Sequence, residues 1–355
     1  MFGKIRGDAK LSQELAANKA DFMLALCNSA TADIEGITQA GLPGRIYLTP
    51  TLDAEYLASG TVPSLGEIPE TPAGVPTPAL MSRAVELLSP FASVSMLDLG
   101  LRVKPLVGEL LVPMGIQACG NIATQCRIEA REIFYKGVEY ARSVEPVGEY
   151  IILAESVPSG TTTAEAAVTA LGYECRGLFS SSFADSPLSV KRETIEAAVK
   201  RVEEESCEGP FEKLSLCSDN MLLFCAGMVA GFGGRYPLVL GGGTQMAAVA
   251  LIADTLAQHE GLEIASSKLC LWTTKWVAED EKSDIGALLD MLSFELEASY
   301  PIFDFSSSSH PALALYDRGE AKEGVGAGAS ILYALGKGLK VSDIVASVEE
   351  QLGGI

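Results

Sequence analysis

The chain has 355 residues, of which 48% are hydrophobic and 20% charged, enough for a large single domain or two domains with a substantial buried core. Its formal charge of −20, with 26 Lys+Arg against 46 Asp+Glu and no Lys/Arg stripe, excludes nucleic acid and anionic membrane as partners of the bulk surface. Only two histidines are present, His259 and His310, so no multi-histidine metal site is expected.

The first residues, Met1–Asp8, contain no apolar core of signal-peptide type. Asp8–Asp21 reads as a helix. Apolar runs with little polar alternation follow at Asp21–Cys27, Arg45–Leu48, Val94–Leu99, Tyr150–Ala154, Pro237–Leu240, Leu269–Thr273 and Ile302–Phe305. Runs of this kind suit strands buried on both faces of a parallel sheet. Between Thr61 and Pro78 the chain is proline-rich and without periodicity. That segment is either a linker or a semi-rigid loop folded over a site.

Helices stand between the runs. Ala164, Ala167, Val168 and Leu171 fall at helical spacing before Gly172, and Val190–Ser206 is amphipathic. Gln245–Leu256 is apolar almost all round and predicts a buried helix. Val325, Ala329, Leu332, Leu335 and Leu339 form a further stripe, and Val341–Leu352 is a terminal helix. The alternation implies an α/β fold, a mostly parallel sheet flanked by helices in a Rossmann-like three-layer arrangement. Residues 20–340 are expected to form this domain, with 1–19 and 341–355 as a small helical subdomain. The eight cysteines lack C-x-x-C spacing and several lie in apolar stretches, as expected of buried, reduced thiols in a soluble cytoplasmic protein. Tyr236–Ala253 is interrupted by Gly241–Gln245 and is no membrane span.

Three loops at the carboxyl ends of the expected strands carry residues suited to chemistry. In Glu155–Ala164 (E-S-V-P-S-G-T-T-T-A), Gly160 permits a tight turn, and Thr161, Thr162 and Thr163 open a helix. A helix N-terminus with hydroxyls suits phosphate, although one threonine would already serve as an ordinary cap. Glu155 follows the strand directly, either pointing into the ligand crevice or holding a loop N–H. Gly241-Gly242-Gly243-Thr244-Gln245 lets a ligand lie against backbone. In Lys322–Ala329, Glu323 precedes Gly324, Gly326 and Gly328; it is either a reactive carboxylate or an acid favouring a helix dipole.

Together these loops resemble the nicotinate-nucleotide–dimethylbenzimidazole phosphoribosyltransferases (CobT), most closely their archaeal and cyanobacterial branch. The matching stretches are Glu155–Ala164, Ala226–Val249, Glu323–Ala329, Val75–Leu80 and Leu97–Leu101. The resemblance implies a homodimeric enzyme that moves the phosphoribosyl group of nicotinate mononucleotide to an aromatic nitrogen base of benzimidazole or purine type. It releases nicotinate and forms an α-ribotide for a cobamide lower ligand, without metal or cofactor. It implies Glu323 as general base and Glu155 and Gln245 facing the base. Ser159, Gly160, Thr161, Thr162, Thr163, Gly242, Gly243, Thr244, Gly324 and Gly326 would surround the ribotide and its phosphate. The chain departs from the pattern at Ser159 and Ala154, where glycines are usual, and at Gly241–Gly243, where the bacterial branch has acid-Gly-aromatic. Two other readings remain open: a non-catalytic nucleotide-binding partner of cobamide synthesis, and a dinucleotide-dependent oxidoreductase. The second is disfavoured because no G-x-G-x-x-G follows an expected strand.

Overall fold

The computed structural model describes residues 2–66, 68, 70–183 and 188–353. Among them, eight strands form one sheet: β1 (Phe2–Arg6), β2 (Ala20–Leu26), β3 (Ser93–Asp98), β4 (Leu111–Pro113), β5 (Tyr150–Ser156), β6 (Leu238–Gly241), β7 (Leu269–Trp272) and β8 (Glu297–Pro301). The order is β1-β8-β7-β6-β5-β2-β3-β4. Every pairing is parallel except β1 with β8.

The continuous apolar runs arise because both faces are covered. On β5, Ile151 and Leu153 enter one core while Tyr150, Ile152 and Ala154 enter the other. On β2, Met23 and Ala25 face the first core, and Phe22, Leu24 and Leu26 the second. This is the α/β sandwich the sequence predicts. The helices Ala130–Ser143, Asn220–Phe232 and Thr244–Glu260 cover the first face. Ala79–Leu88, Ala327–Gly336 and Val341–Gly353 cover the second.

Two expected strands are absent. Ile46–Leu48 is a 3-10 turn that runs directly into the helix Thr49–Ser59, whose second residue is Pro50; proline suits the first turn of a helix and cannot serve a central strand. Ile302–Phe305 lies just beyond β8, which ends at Pro301. Phe303 and Phe305 instead pack edge to face with centroids 5.1 Å apart, and Trp276 stacks on Phe305 at 5.7 Å. The expected first helix is confined to Lys10–Ala16, since β2 already begins at Ala20. Phe2–Arg6, which falls in the 1–19 segment expected to join a small helical subdomain, is instead the antiparallel edge strand of the sheet.

The chain lays down β2, β3 and β4 toward one edge, then returns β5 beside β2 and builds toward the other. The reversal between β2 and β5 is where an open parallel sheet leaves a crevice at the strand carboxyl ends.

Candidate active site

An open cleft lies at that position. The end of β5, the start of the helix Gly160–Ala170, the β6–helix loop and the segment 321–324 line it. The proline-rich segment adds Glu70, Thr71 and 75–78, so it folds over the cleft. Its turn is closed by the Thr71 N–H donating to the Val75 carbonyl at 2.8 Å, and the Tyr316 hydroxyl donates to the Pro76 carbonyl at 2.5 Å. Residues 67 and 69 of that segment lie outside the described residues.

The two glutamates of the sequence reading both reach the cleft. Glu155 is 3% exposed and accepts hydrogen bonds from the Gln245 amide at 3.2 Å and the Val157 N–H at 3.1 Å. Burial, with the Glu323 charge next in weight, pushes its carboxyl up to about 8. Glu323 is held by four donors. Oε1 accepts from the Gly324 and Gly328 N–H groups at 3.1 and 3.3 Å, and Oε2 from the Thr274 N–H at 2.8 Å and the Thr273 hydroxyl at 3.3 Å. Burial raises it to about 7 in spite of these donors. Gly328 sits in the first turn of the helix Ala327–Gly336, so Glu323 also satisfies a free N–H at that helix start.

The threonine loop divides. Ser159, Gly160 and Thr161 line the cleft, whereas Thr162 and Thr163 are not on its wall. Thr162 is 1% exposed, and the Thr163 hydroxyl bonds the buried Asp219 carboxylate, the cap of the helix Asn220–Phe232. A Cβ on Gly160 would lie 1.7 Å from Gln245 Oε1, so only glycine lets the helix start and that side chain meet. Ser159 occupies left-handed backbone at φ 64°, unusual for a residue with a Cβ. Its Oγ and Gln245 Oε1 are buried with no hydrogen-bond partner among the described residues.

In the other loops, Gly243, Thr244, Gln245 and Gly324 line the cleft, while Gly242 and Gly326 do not. Gly326 instead lets its loop approach β5: a Cβ there would meet the Ala154 Cβ at 2.7 Å.

Four cleft residues escape sequence reasoning. Asp53, on the helix Thr49–Ser59, accepts from the Ser156 and Thr77 hydroxyls, both at 2.6 Å, and burial raises its carboxyl to about 6. Thr77 comes from the proline-rich segment. Lys191 pairs with Glu165 at 2.9 Å and donates to the Ser180 carbonyl at 3.4 Å; burial lowers its affinity for a proton. Lys322 pairs with Asp280 at 2.8 Å. A cation inside an otherwise amphipathic helix gives no local signal, although a lysine beside Glu323 in the third loop was within reach. Among the described residues no group of three or more His, Cys, Asp and Glu could hold a metal ion, and no helix is long and apolar enough to cross a membrane.

No protein-family model matches the sequence. Two solved structures from Thermus thermophilus share the fold. One is a nicotinate-nucleotide–dimethylbenzimidazole phosphoribosyltransferase: TM-score 0.60 and 16% identity over 94% of this chain and 85% of that one. The other is a CobT: TM-score 0.60 and 15% identity over 99% and 95%. Among curated proteins, UPF0284 proteins of Sulfolobus acidocaldarius and Archaeoglobus fulgidus are 33% and 35% identical over 333 and 341 residues. Those alignments cover 93% and 95% of this chain and 93% and 94% of the relatives. With identity sustained over nearly the whole of both partners, the chain belongs to the UPF0284 family.

Proposed function

We propose that the cleft transfers the phosphoribosyl group of nicotinate mononucleotide to an aromatic nitrogen base, releasing nicotinate. The observation that carries this reading is the convergence of Glu155 and Glu323 with the start of the helix Gly160–Ala170 in one cleft at the sheet reversal. The shared fold with the Thermus proteins supports it.

The bond that breaks joins ribose C1′ to the pyridinium nitrogen. Its electron pair returns to that nitrogen, so nicotinate leaves without protonation or metal assistance. The bond that forms joins C1′ to a ring nitrogen of the base, whose proton goes to Glu323. A carboxyl raised to about 7 is well matched to accept it near neutral pH. Ser159 and Thr161 offer hydroxyl donors for the phosphate at the helix start, with Lys191 and Lys322 adding charge. Glu155, raised to about 8, is predominantly protonated at neutral pH and faces the base as a donor. Positioning of both rings and the phosphate supplies the remainder. Glu155 with Gln245, and the neighbouring Glu323, are the residues proposed to contact the two rings.

The test is incubation with nicotinate mononucleotide and a panel of bases, with free nicotinate followed chromatographically. Nicotinate release that requires a base is the expected result; none with any base overturns the reading.

A further inference from the structure

One buried acid in the cleft has no part in the transfer step. Asp53 is 4% exposed and lines the cleft beside Glu155 and Ser156. No lysine, arginine or histidine pairs with it among the described residues. Its two neutral hydroxyl donors occupy one oxygen each: Thr77 Oγ1 on Oδ1, Ser156 Oγ on Oδ2. Each oxygen keeps a further acceptor site. Ile37, Val75, Pro76, Pro78 and Pro158 are among the residues lining the same cleft, and apolar lining of this kind suits the faces of a planar ring. A separate observation points to a ligand here: Ser159 Oγ, 5% exposed, and Gln245 Oε1 are buried without partners on this same lining.

What ring edge would meet this corner follows from desolvation. A base that carries only hydrocarbon at its far edge would strip water from a carboxylate and return nothing, which costs a buried charged acceptor its hydrogen bond. An amino group donates two N–H bonds into the same space. An adjacent ring nitrogen accepts from a protonated carboxyl, so Asp53 and Glu155 together match an edge with an amine beside a ring nitrogen.

We propose that Asp53 is a specificity-determining residue that selects an amino-bearing N-heterocycle, of the 6-aminopurine class, over a benzimidazole with hydrocarbon substituents. This rests on the proposed transfer reaction for its biological meaning, but its test does not need turnover.

The experiment is calorimetric titration of the full chain with adenine, unsubstituted purine, benzimidazole and 5,6-dimethylbenzimidazole, run beside the nicotinate-release assay. Adenine should bind at least ~10-fold more tightly than purine, which lacks only the amine, as expected for a hydrogen bond to a charged acceptor. Asp53→Asn should lower adenine affinity by ~10-fold and raise that of 5,6-dimethylbenzimidazole, reversing the order. Equal binding of adenine and purine, tighter binding of dimethylbenzimidazole by the wild type, or no binding of any base overturns the proposal. The adenine–purine comparison uses the unaltered protein, so it decides even if the variant fails to fold. A preserved base ranking without nicotinate release would defeat the transfer reading alone. Release without the ranking would defeat the Asp53 proposal alone.

Discussion

Two groups of charged residues on the cleft lining, its paired end and its acidic end in chemistry rather than distance, share one scaffold. At the paired end, Lys191 donates to the Ser180 carbonyl, and Lys191 and Lys322 are already neutralised, by Glu165 and by Asp280. At the other, Asp53, Glu155 and Glu323 have no cation partner among the described residues and are shifted up to about 6, 8 and 7. One end balances charge with ion pairs; at the other, Glu155 holds its proton at neutral pH, Glu323 titrates near it, and Asp53 stays an ionised acceptor. For the proposed anionic nucleotide, burial that keeps Glu155 protonated lowers the negative charge of the cleft without a surplus of basic residues. The acidic end is also where a proton can be exchanged, which the paired end cannot do.

The largest expected effect is at the acidic end. Glu323→Gln removes the proposed proton acceptor and should slow nicotinate release by about 10²–10⁴-fold. The substitution also sets an amide NH₂ against the Thr274 N–H or the Gly328 N–H, so a stability loss of about 1–3 kcal/mol accompanies it. Binding of nicotinate mononucleotide should survive in calorimetry. If binding disappears with turnover, Glu323 serves the loop rather than the reaction.

At the paired end, Lys191→Met should raise the KM for nicotinate mononucleotide by roughly 10-fold or more, as expected when a charge-assisted contact to phosphate is lost. It also leaves Glu165 buried and unpaired, at a stability cost of about 3–5 kcal/mol. The double variant Lys191→Met, Glu165→Leu should recover the melting temperature and keep the raised KM. Recovery of both would reduce Lys191 to a structural ion-pair partner.

The pH dependence separates the ends again. Nicotinate release should rise with pH through about 7 as Glu323 loses its proton. Stability of the ligand-free protein moves the other way. Glu155 and Glu323 bind protons more tightly than the ordinary carboxyl at 4.5, so between about 4.5 and 8 the folded state holds more protons than the unfolded chain. Their contribution to stability is present at low pH and is lost as pH rises across that window. Denaturant unfolding from pH 5 to pH 9 should show Glu155→Gln gaining on the wild type as pH rises. A difference that stays constant from pH 5 to pH 9 would place Glu155 in its ionised form throughout.

The sheet was legible in the sequence because strands covered on both faces need uninterrupted apolar runs, as Tyr150–Ser156 shows. Arg45–Leu48 and Ile302–Phe305 carry the same apolar character, yet the first runs into a helix opened by Pro50 and the second follows the end of β8 and packs through its aromatic rings. The short edges β1 and β4 are weak because five and three residues hold too little pattern. In the cleft, Glu155, Ser159–Thr161, Gly243–Gln245, Glu323 and Gly324 were legible because each follows or opens an element at the sheet's carboxyl edge. Asp53 and Lys191 were not. They sit inside helices, at one position of an otherwise ordinary pattern, and only the packing of 49–59 against β2 and β5 and of 188–204 against the helix Gly160–Ala170 brings them to the site.

The smallest effect bears on how the two ends meet at Ser159. Its φ of 64° is a conformation that a Cβ disfavours by about 1–2 kcal/mol, and its hydroxyl is buried without a partner. Ser159→Gly relieves both, against a cost of about 0.5–1 kcal/mol in unfolded-chain entropy, for a net gain of about 1 kcal/mol. That should lift the melting temperature of the ligand-free protein by about 2 °C. If the hydroxyl is instead reserved for the nucleotide, the same change should raise the KM for nicotinate mononucleotide by about 5-fold, the loss of one ordinary hydrogen bond. A higher melting temperature with a raised KM would show strain and an orphaned donor kept for the ligand. A higher melting temperature with KM unchanged would remove Ser159 Oγ from the site and leave the phosphate to backbone N–H groups, Thr161 and the lysines.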